Sequence, residues 1–452
     1  MEKEVAIDPE LLGKAYEKFN AIRPDNFEEY KKALKSGIKG GESKFNKQYG
    51  VYYTPREIVH YMCQQSLINY LHNPDRVSNP VRVKISKEDI ETLIHTGEQA
   101  SENEATALLK EKLIAEGKQK TAKNKLVLPE SIRNNAAQID KKLEEITVCD
   151  PAVGSGAFPV GMMSEIVKVR NVLSVFLSSK TLTGFETLSG LGSDTHRTAY
   201  DFKRHCIEHS LYGVDIDPGA VEIAKLRLWL SLVVDEDDIR NIKPLPNLDY
   251  RIMQVNSLIS EFMGISFDAD KQKSGGQLIK DETDTLIEQF QKKKDAFLNE
   301  SNVSRKTRLK EEVDDLLIEI FETKLKNQKA DYFNELKAIE RRHSSWPTAQ
   351  EREECIKKEK EKLDKEFGLN LESAEKQLKE FTSGRKIRPF FLWHLYFSEV
   401  FHKKACPERS RGGGFDVVIA NPPYVQLQKD DGRLANMFKN CNYSAKNILN
   451  FA

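Results

Sequence analysis

The fold is decided by the stretch Ile146-Thr147-Val148-Cys149-Asp150-Pro151-Ala152-Val153-Gly154-Ser155-Gly156-Ala157-Phe158. Its first five residues are typical of a buried strand, and the apolar spacing of Met162, Ile166 and Val169 predicts a following helix. A strand, a Gly-x-Gly turn and a helix form the first unit of a doubly wound sheet. The glycines let the backbone approach a ligand closely, and the helix N-terminus offers free N–H groups. The stretch therefore predicts an α/β fold with a ligand-binding loop.

The second predicted strand, residues 211–217, ends in acids and leads into a helix from Pro218 through Leu232. An acid at this place in such a sheet typically binds the hydroxyls of a ribose, so Asp215 is a candidate ligand-binding residue. The usual separation between the glycine loop and this acid is about 20 residues, and here it is roughly three times longer. We therefore expect residues 171–210 to be an insertion after the first helix.

Two further strands are predicted later in the chain. The third covers residues 250–255 and is followed by Asn256-Ser257-Leu258, and the fourth covers 415–420 and runs directly into Asn421-Pro422-Pro423-Tyr424. The two prolines fix φ and remove two backbone donors, so their carbonyls project from a stiff turn. Because open α/β sheets bind ligands at the carboxyl ends of their strands, this tetrapeptide is a candidate receptor for a nucleobase. A plain proline turn after a strand is the simpler alternative.

A helix start lies upstream of the sheet, in Tyr53-Thr54-Pro55-Arg56-Glu57-Ile58-Val59. Thr54 is a natural N-cap and Pro55 a natural first helical residue. The residues Ile58 and Val59 then predict the start of a buried stripe. Without other motifs, this segment would indicate only an ordinary helix.

The composition is that of a soluble protein with a highly charged surface. Its 452 residues include 70 basic and 70 acidic side chains, which cancel to zero net charge, so nucleic acid would have to be contacted by a local basic patch. The six cysteines form no Cys-x-x-Cys pair, which predicts no disulfide framework and no metal site. We expect a cytoplasmic protein with no signal segment and no membrane span.

Changes in composition along the chain predict five segments. They are N-terminal helices with the Tyr-Thr-Pro segment (1–75), a charged accessory insert (76–145), the cofactor-binding half of the sheet (146–260), a charged helical insert (261–385) and the start of a catalytic half (386–452). The first insert predicts helices over 87–95 and 104–116. The second predicts long helices, including an antiparallel hairpin, that act either as an arm touching DNA or another domain or as a solvated spacer.

Taken together, the motifs resemble those of gamma-class adenine-N6 DNA methyltransferases, in particular the methylase region of Type IIG restriction-modification enzymes. The resemblance rests on Tyr-Tyr-Thr-Pro at 52–55, Asp-Pro-Ala-x-Gly-Ser-Gly at 150–156, Gly-Val-Asp-Ile-Asp-Pro at 213–218, Asn-Ser-Leu at 256–258 and Asn-Pro-Pro-Tyr at 421–424, in that order. It implies a Rossmann-like sheet of an S-adenosylmethionine-dependent methyltransferase, with long charged helical inserts.

The resemblance also implies which residues contact the cofactor S-adenosylmethionine. Asp215 would accept both ribose hydroxyls, and the backbone near Gly154 and Gly156 would lie against the methionine moiety. Asn256 stands where many relatives have aspartate, so an end cap for the strand is its alternative role. The full implied set is Tyr53, Thr54, Pro55, Asp150, Pro151, Ala152, Gly154, Gly156, Asp215, Ile216, Asn256 and Ser257.

The implied catalytic residues are Asn421, Pro422, Pro423 and Tyr424. The Asn421 side-chain oxygen and the Pro422 carbonyl would accept the two N–H bonds of adenine N6 and so expose its lone pair to the methyl group. Tyr424 would stack on the base. The substrate would be double-stranded DNA with a flipped adenine, and positioning would supply most of the rate.

Other interpretations stay open. Asn-Pro-Pro-Tyr also occurs in enzymes that methylate the glutamine amide of release factors and in some RNA methyltransferases, although these usually lack the Tyr-Thr-Pro segment and the inserts. Cytosine-N4 enzymes usually begin the tetrapeptide with Ser, so Asn421 favours adenine. The chain ends at Ala452, soon after Tyr424. We therefore expect a C-terminally truncated chain whose target-recognition domain or subunit is encoded downstream, and an inactive remnant that binds only cofactor is a rival interpretation.

Overall fold

The computed structural model of the chain forms two compact units. The first comprises Met1–Gln254 and Ala405–Ala452, and the second comprises Val255–Lys404. The structure describes residues 9–20, 31, 54–72, 85–115, 117–118, 125–181, 198–234, 248–257, 261–262, 265–266, 282–300, 302–343, 349–367, 391, 393–401 and 414–422.

Long helices and short strands alternate along the chain. Up to the third strand the elements are α1 (Pro9–Asn20), α2 (Arg56–His72), α3 (Lys87–Ala115), α4 (Glu130–Asn134), α5 (Ala136–Glu145), β1 (Val148–Asp150), α6 (Ala157–Thr181), α7 (Ala199–His205), a π-helical turn (Cys206–Ser210), β2 (Leu211–Asp215), α8 (Pro218–Val233) and β3 (Ile252–Gln254). Then come β4 (Glu261–Phe262), β5 (Ile265–Ser266), α9 (Glu282–Asn299), α10 (Val303–Arg342), α11 (Ala349–Phe367), α12 (Trp393–Tyr396), α13 (Ser398–Phe401) and β6 (Val417–Val418).

The first unit contains a parallel sheet with the strand order β3-β2-β1-β6. Val148 of β1 is paired with Leu211 on one side and with Val417 on the other. The chain moves outward from β1 through β2 to β3 and later returns on the opposite side of β1. Because the strand order reverses between β1 and β6, the crevice at their carboxyl ends is a topological switch point, where open α/β sheets bind ligands. The predicted mixed α/β fold with a parallel sheet is confirmed.

Helix α6 is the central helix of this unit, and α2, α3 and α5 pack against it. It is apolar on nearly all sides, as expected for a helix enclosed by others. The buried cation Arg170 is paired: Nε donates to Asp140 Oδ1 at 2.9 Å, and the guanidinium lies 4.4 Å from the centroid of the Phe202 ring. The pair joins α6 to α5 within the core.

Several local predictions are wrong. The insertion was expected to begin at residue 171, but α6 continues to Thr181. Helix α3 is continuous over Lys87–Ala115, where two separate helices were predicted. Gly97 lies between the two predicted helices, but it packs against Val172 of α6. This packing stabilises the helical conformation at Gly97, so α3 continues. In α2 the buried stripe includes Val59 but not Ile58, which is 49% exposed. The stripe recurs every four residues because α2 presents one narrow face to α6.

The second unit contains the predicted helical hairpin. Helices α9 and α10 pack together in antiparallel orientation, with Lys293 bonded to Glu312 and Lys306 above the Phe297 ring. The buried Lys294 Nζ donates to the Tyr396 carbonyl at 2.6 Å and to a carboxylate of α13. The charged segment thus contains an ordered core of its own.

The five-segment division stays a prediction. Within the predicted accessory insert, Ile90, Leu93 and Leu128 contribute to the core of the first unit. None of the helices in the described ranges is both long enough and apolar enough to cross a membrane.

Candidate functional site

The candidate site lies at the carboxyl ends of β1, β2 and β6. Asp150 is the last residue of β1, Asp215 is the last residue of β2, and Asn421 follows β6. The Ile419 N–H donates to the Cys149 carbonyl at 3.0 Å, so the chain leaving β6 runs beside the end of β1. Three of the predicted motifs therefore meet at one edge of the sheet.

The glycine loop is tied directly to the second strand. The Gly154 N–H donates to Asp215 Oδ2 at 2.8 Å, and the Val153 N–H donates to the Val214 carbonyl at 2.9 Å. Gly154 has φ 49°, a left-handed conformation suited to glycine, and among the described residues a Cβ there would meet only the Ala152 carbonyl oxygen, at 4.0 Å. A ligand can therefore approach this part of the backbone closely.

Gly156 packs closely against α8. It has φ 83°, and a Cβ at this position would lie 3.0 Å from Ala224 Cβ of α8. Because Gly156 has no side chain, the start of α6 can pack directly against α8. Both glycines were predicted to lie beside the cofactor, and the structure gives them different local surroundings.

Asp150 is 2% exposed, and the two oxygens of its carboxyl group have different surroundings. Oδ1 accepts a hydrogen bond from the Ala152 N–H at 3.0 Å, with Pro151 forming the turn between them. Oδ2 is buried and has no hydrogen-bond partner among the described residues. Burial raises the pKa of Asp150 to about 8, against the lowering effect of the bond from Ala152, and the nearby Asp215 raises it further. A buried carboxyl group with one unpaired oxygen is suited to receive a donor or a cation.

Asp215 is also a candidate acceptor of hydrogen bonds from a ligand, although each of its carboxylate oxygens already accepts one from a backbone N–H. Its Oδ1 accepts from the Asp217 N–H at 2.9 Å, while Oδ2 accepts from Gly154. Burial raises its pKa, and the backbone hydrogen bonds oppose that shift. Each carboxylate oxygen retains a second acceptor position. The next side chain, Ile216, is 65% exposed, an unusual surface position for a large apolar residue directly after a strand.

Asn421 is connected to the Tyr-Thr-Pro segment. Its Nδ2 donates to Thr54 Oγ1 at 3.0 Å, across 367 positions of sequence. Thr54 was predicted to cap α2, but the helix begins at Arg56, and the Pro55 carbonyl accepts from Ile58 and Val59. Among the described residues, the Thr54 hydroxyl bonds to Asn421 and not to the helix, which is a correction to the capping prediction.

Five predicted site residues are not among the described residues of this edge. Tyr53, Pro423 and Tyr424 are outside the described residues, although their neighbours Thr54 and Pro422 are described. Asn256 and Ser257 follow β3 in the chain but belong to the second unit, where the Ser257 carbonyl accepts from Trp393 Nε1 at 3.2 Å. Their predicted contact with a cofactor stays a prediction.

Sequence analysis missed two residues that shape the glycine loop and the end of β2. The buried Arg227 Nη1 of α8 donates to the Ser155 carbonyl at 2.8 Å and to Ser155 Oγ at 3.1 Å. The Tyr16 hydroxyl of α1 donates to Asp217 Oδ2 at 2.8 Å. Arg227 is a charged residue within the apolar run of α8. A charged residue in such a run is the sequence signal that could have identified it. Tyr16 gave no such indication.

The carboxyl edge of the sheet combines hydrogen-bond acceptors, an exposed apolar side chain and a stretch of backbone that a ligand can approach closely. Two carboxyl groups lie beside the glycine loop, and an amide side chain held by a hydroxyl lies on the other side of β1. Such a site can hold a ligand with hydroxyl and cationic groups next to a second ligand with N–H donors. The two groups of side chains lie on either side of the switch point of the sheet.

Comparison with known proteins gives the family. The family model for the Eco57I restriction-modification methylase matches residues 209–451, which include β2, β3, the helical segment and Asn421. A protein of Methanocaldococcus jannaschii named "Putative type II restriction enzyme and methyltransferase" is 26% identical over 445 residues, covering 94% of this chain. The chain spans about 30% of the length of that relative. The family match extends over more than half of the sequence, and the chain belongs to the Eco57I restriction-modification methylase family.

Proposed function

We propose that this chain is the methylase part of a restriction-modification enzyme and transfers a methyl group from S-adenosylmethionine to adenine N6 in DNA. The observation that carries the proposal is the meeting of Asp150, Asp215 and Asn421 at the carboxyl edge between β2 and β6. Family membership supports methylation of DNA, and the residues of the edge support the cofactor and the base. The sheet would then be a Rossmann-like methyltransferase sheet.

The described residues fit the two ends of the cofactor. Asp215 would accept from the ribose hydroxyls, and the exposed Ile216 would contact the flat adenine ring. The buried Asp150 Oδ2, which has no partner among the described residues, would accept from the cationic amino group of the methionine moiety. The space over Gly154, open among the described residues, leaves the backbone accessible beside it. When bound, S-adenosylmethionine supplies an electrophilic methyl group on a sulfonium.

Asn421 would hold the substrate base. Because its Nδ2 is bonded to Thr54, its Oδ1 is the atom left to accept a hydrogen bond from the exocyclic amine. The Pro422 carbonyl would accept the second N–H of the amine. Because neither proline has a backbone N–H, neither can donate to this carbonyl. Two acceptors on one amine hold its hydrogens away from the incoming methyl group and weaken delocalisation of the lone pair. Pro423 would stiffen the turn, and Tyr424 would stack on the base.

The alternatives differ in the group that is methylated. Cytosine N4 is also an exocyclic amine, but the asparagine at 421 favours adenine on the resemblance described above. A protein glutamine amide or an RNA base would fit the same pair of acceptors. The restriction-modification family favours DNA. We propose that a recognition domain or subunit selects the sequence in double-stranded DNA from which the adenine is flipped.

The test is nucleoside analysis of DNA treated with the complete gene product. Plasmid DNA free of methyladenine would be incubated with isotopically labelled S-adenosylmethionine, digested and examined by mass spectrometry. The proposal predicts labelled N6-methyladenine and its loss in Asn421→Ala. Labelled N4-methylcytosine, or no label in the DNA, would contradict it.

A further inference from the structure

We propose that Thr54 is a positioning residue for the catalytic amide and does not act as a cofactor ligand. The inference deepens the proposed function and rests on it. The carrying observation is the hydrogen bond from Asn421 Nδ2 to Thr54 Oγ1 at 3.0 Å. Thr54 thereby connects the segment before α2 to the turn after β6.

In this arrangement the Thr54 hydroxyl oxygen accepts from the amide nitrogen of Asn421, which leaves the carbonyl end of the side chain for the substrate. A carboxamide offers a donor end and an acceptor end, and an adenine amine needs the acceptor. With Nδ2 bonded to Thr54, Oδ1 has no hydrogen-bond partner in the part of the chain that the structure describes. A free carboxamide would rotate about its terminal torsion and present the wrong end for part of the time. The Thr54 hydroxyl holds the productive orientation before the base arrives.

Thr54 can act in this way because the helix behind it is fixed to the core. Val59, one turn into α2, packs against Gly161 of α6 so closely that a Cβ on the glycine would lie 2.5 Å from Val59 Cγ1. The Val59 side chain therefore occupies the space beside the Gly161 backbone that a larger residue at 161 would need.

A buried carboxylate of α6 holds the same helix by hydrogen bonds. Glu165 of α6 is 1% exposed; its Oε1 lies 2.7 Å from His60 Nδ1, and its Oε2 accepts from Gln64 Nε2 at 3.0 Å. The Arg56 Nε donates to His60 Nε2 at 3.1 Å, so His60 presents its Nδ1 proton to the carboxylate. Steric contact and hydrogen bonds together hold the first two turns of α2, and Thr54 immediately precedes them.

Two substitutions separate positioning from cofactor contact. Thr54→Val keeps the shape of the side chain and removes the hydroxyl, while Thr54→Ser keeps the hydroxyl. The matched control is Thr92→Val, a half-buried threonine of α3 whose hydroxyl donates to the Glu88 carbonyl of its own helix. Calorimetry would measure S-adenosylmethionine affinity, and single-turnover methylation of DNA by the complete gene product would measure transfer. Exchange of the Asn421 side-chain amide protons, followed by NMR in protein labelled with ¹⁵N-asparagine, would measure the bond itself.

We expect Thr54→Val to leave cofactor affinity within about twofold, to slow transfer at saturating cofactor about tenfold and to speed exchange of the Asn421 amide protons. Thr54→Ser should restore both the rate and the slow exchange, and Thr92→Val should match the wild type. A tenfold loss of affinity with an unchanged saturated rate would make Thr54 a cofactor ligand and overturn the inference. An unchanged rate and unchanged exchange in Thr54→Val would also overturn it. Failure of the wild type to bind the cofactor or to form methyladenine would instead refute the proposed function.

Discussion

Replacing Asp150 with asparagine should stabilise the protein at neutral pH. The carboxyl group is 2% exposed, Oδ1 already accepts from the Ala152 N–H, and Oδ2 has no partner among the described residues. An asparagine keeps the acceptor toward Ala152 and resembles the protonated carboxyl group in shape and charge. The substitution therefore removes the cost of ionisation without removing the local hydrogen bond.

The size of the effect follows from the pKa. Burial raises the pKa of Asp150 from 3.8 to about 8, so at pH 7 the group is protonated in the folded protein and ionised in the unfolded chain. Folding must take up a proton, and stability falls as pH rises from about 4 to about 8. At 1.36 kcal/mol per unit, roughly three units give a cost of about 4 kcal/mol at pH 7. Asp150→Asn should recover most of this and should match the wild type below about pH 4.

The assay is urea unfolding of both proteins from pH 4 to pH 8.5. The matched control is Asp140→Asn, which removes the negative charge that faces the buried Arg170 at 2.9 Å and should lose about 3 kcal/mol instead. We also expect Asp150→Asn to bind S-adenosylmethionine more weakly, since a bound ammonium group would favour the ionised carboxylate and an amide cannot ionise. Equal stability of Asp150→Asn and wild type at pH 7 to 8 would refute the ionisation argument.

Two further substitutions test the architecture that holds the site. Asp416→Ala should destabilise by about 1–3 kcal/mol and increase hydrogen exchange in β6, because Asp416 Oδ2 accepts from both the Thr147 N–H and its hydroxyl at 3.0 Å; unchanged exchange at Ile419 would contradict this. Gly156→Ala should cost about 1–3 kcal/mol, because φ is 83° and the new Cβ would press on Ala224 at 3.0 Å. Denaturant unfolding checks the second substitution, and wild-type stability would count against the proposed close approach.

The local motifs were readable from the sequence because each follows from short-range chemistry. The strand ending at Asp150, the positive-φ glycines after it and the helix beginning at Pro218 are all set by neighbouring residues. The strand cores were placed well, although β1 keeps only three of five predicted residues. Parallel pairing stops where the chain turns away toward the helices.

The long-range contacts were not readable. The sequence indicates that Thr54 starts a helix, and nothing local indicates that its hydroxyl bonds to Asn421. The continuity of α3 likewise depends on Val172 of another helix. Burial of Glu165 against His60 depends on how α2 packs on α6. Such features arise from tertiary packing, which a single sequence does not encode as a visible pattern.

The most direct test of the account is a calorimetric titration of this chain with S-adenosylmethionine. The account predicts one bound cofactor per chain, affinity reduced about tenfold or more in Asp215→Ala, and affinity within about twofold of wild type in Asn421→Ala. Circular dichroism would verify that both variants remain folded. No binding by the wild type, or equal affinity in a folded Asp215→Ala variant, would contradict the assignment of the cofactor to the edge formed by β1 and β2.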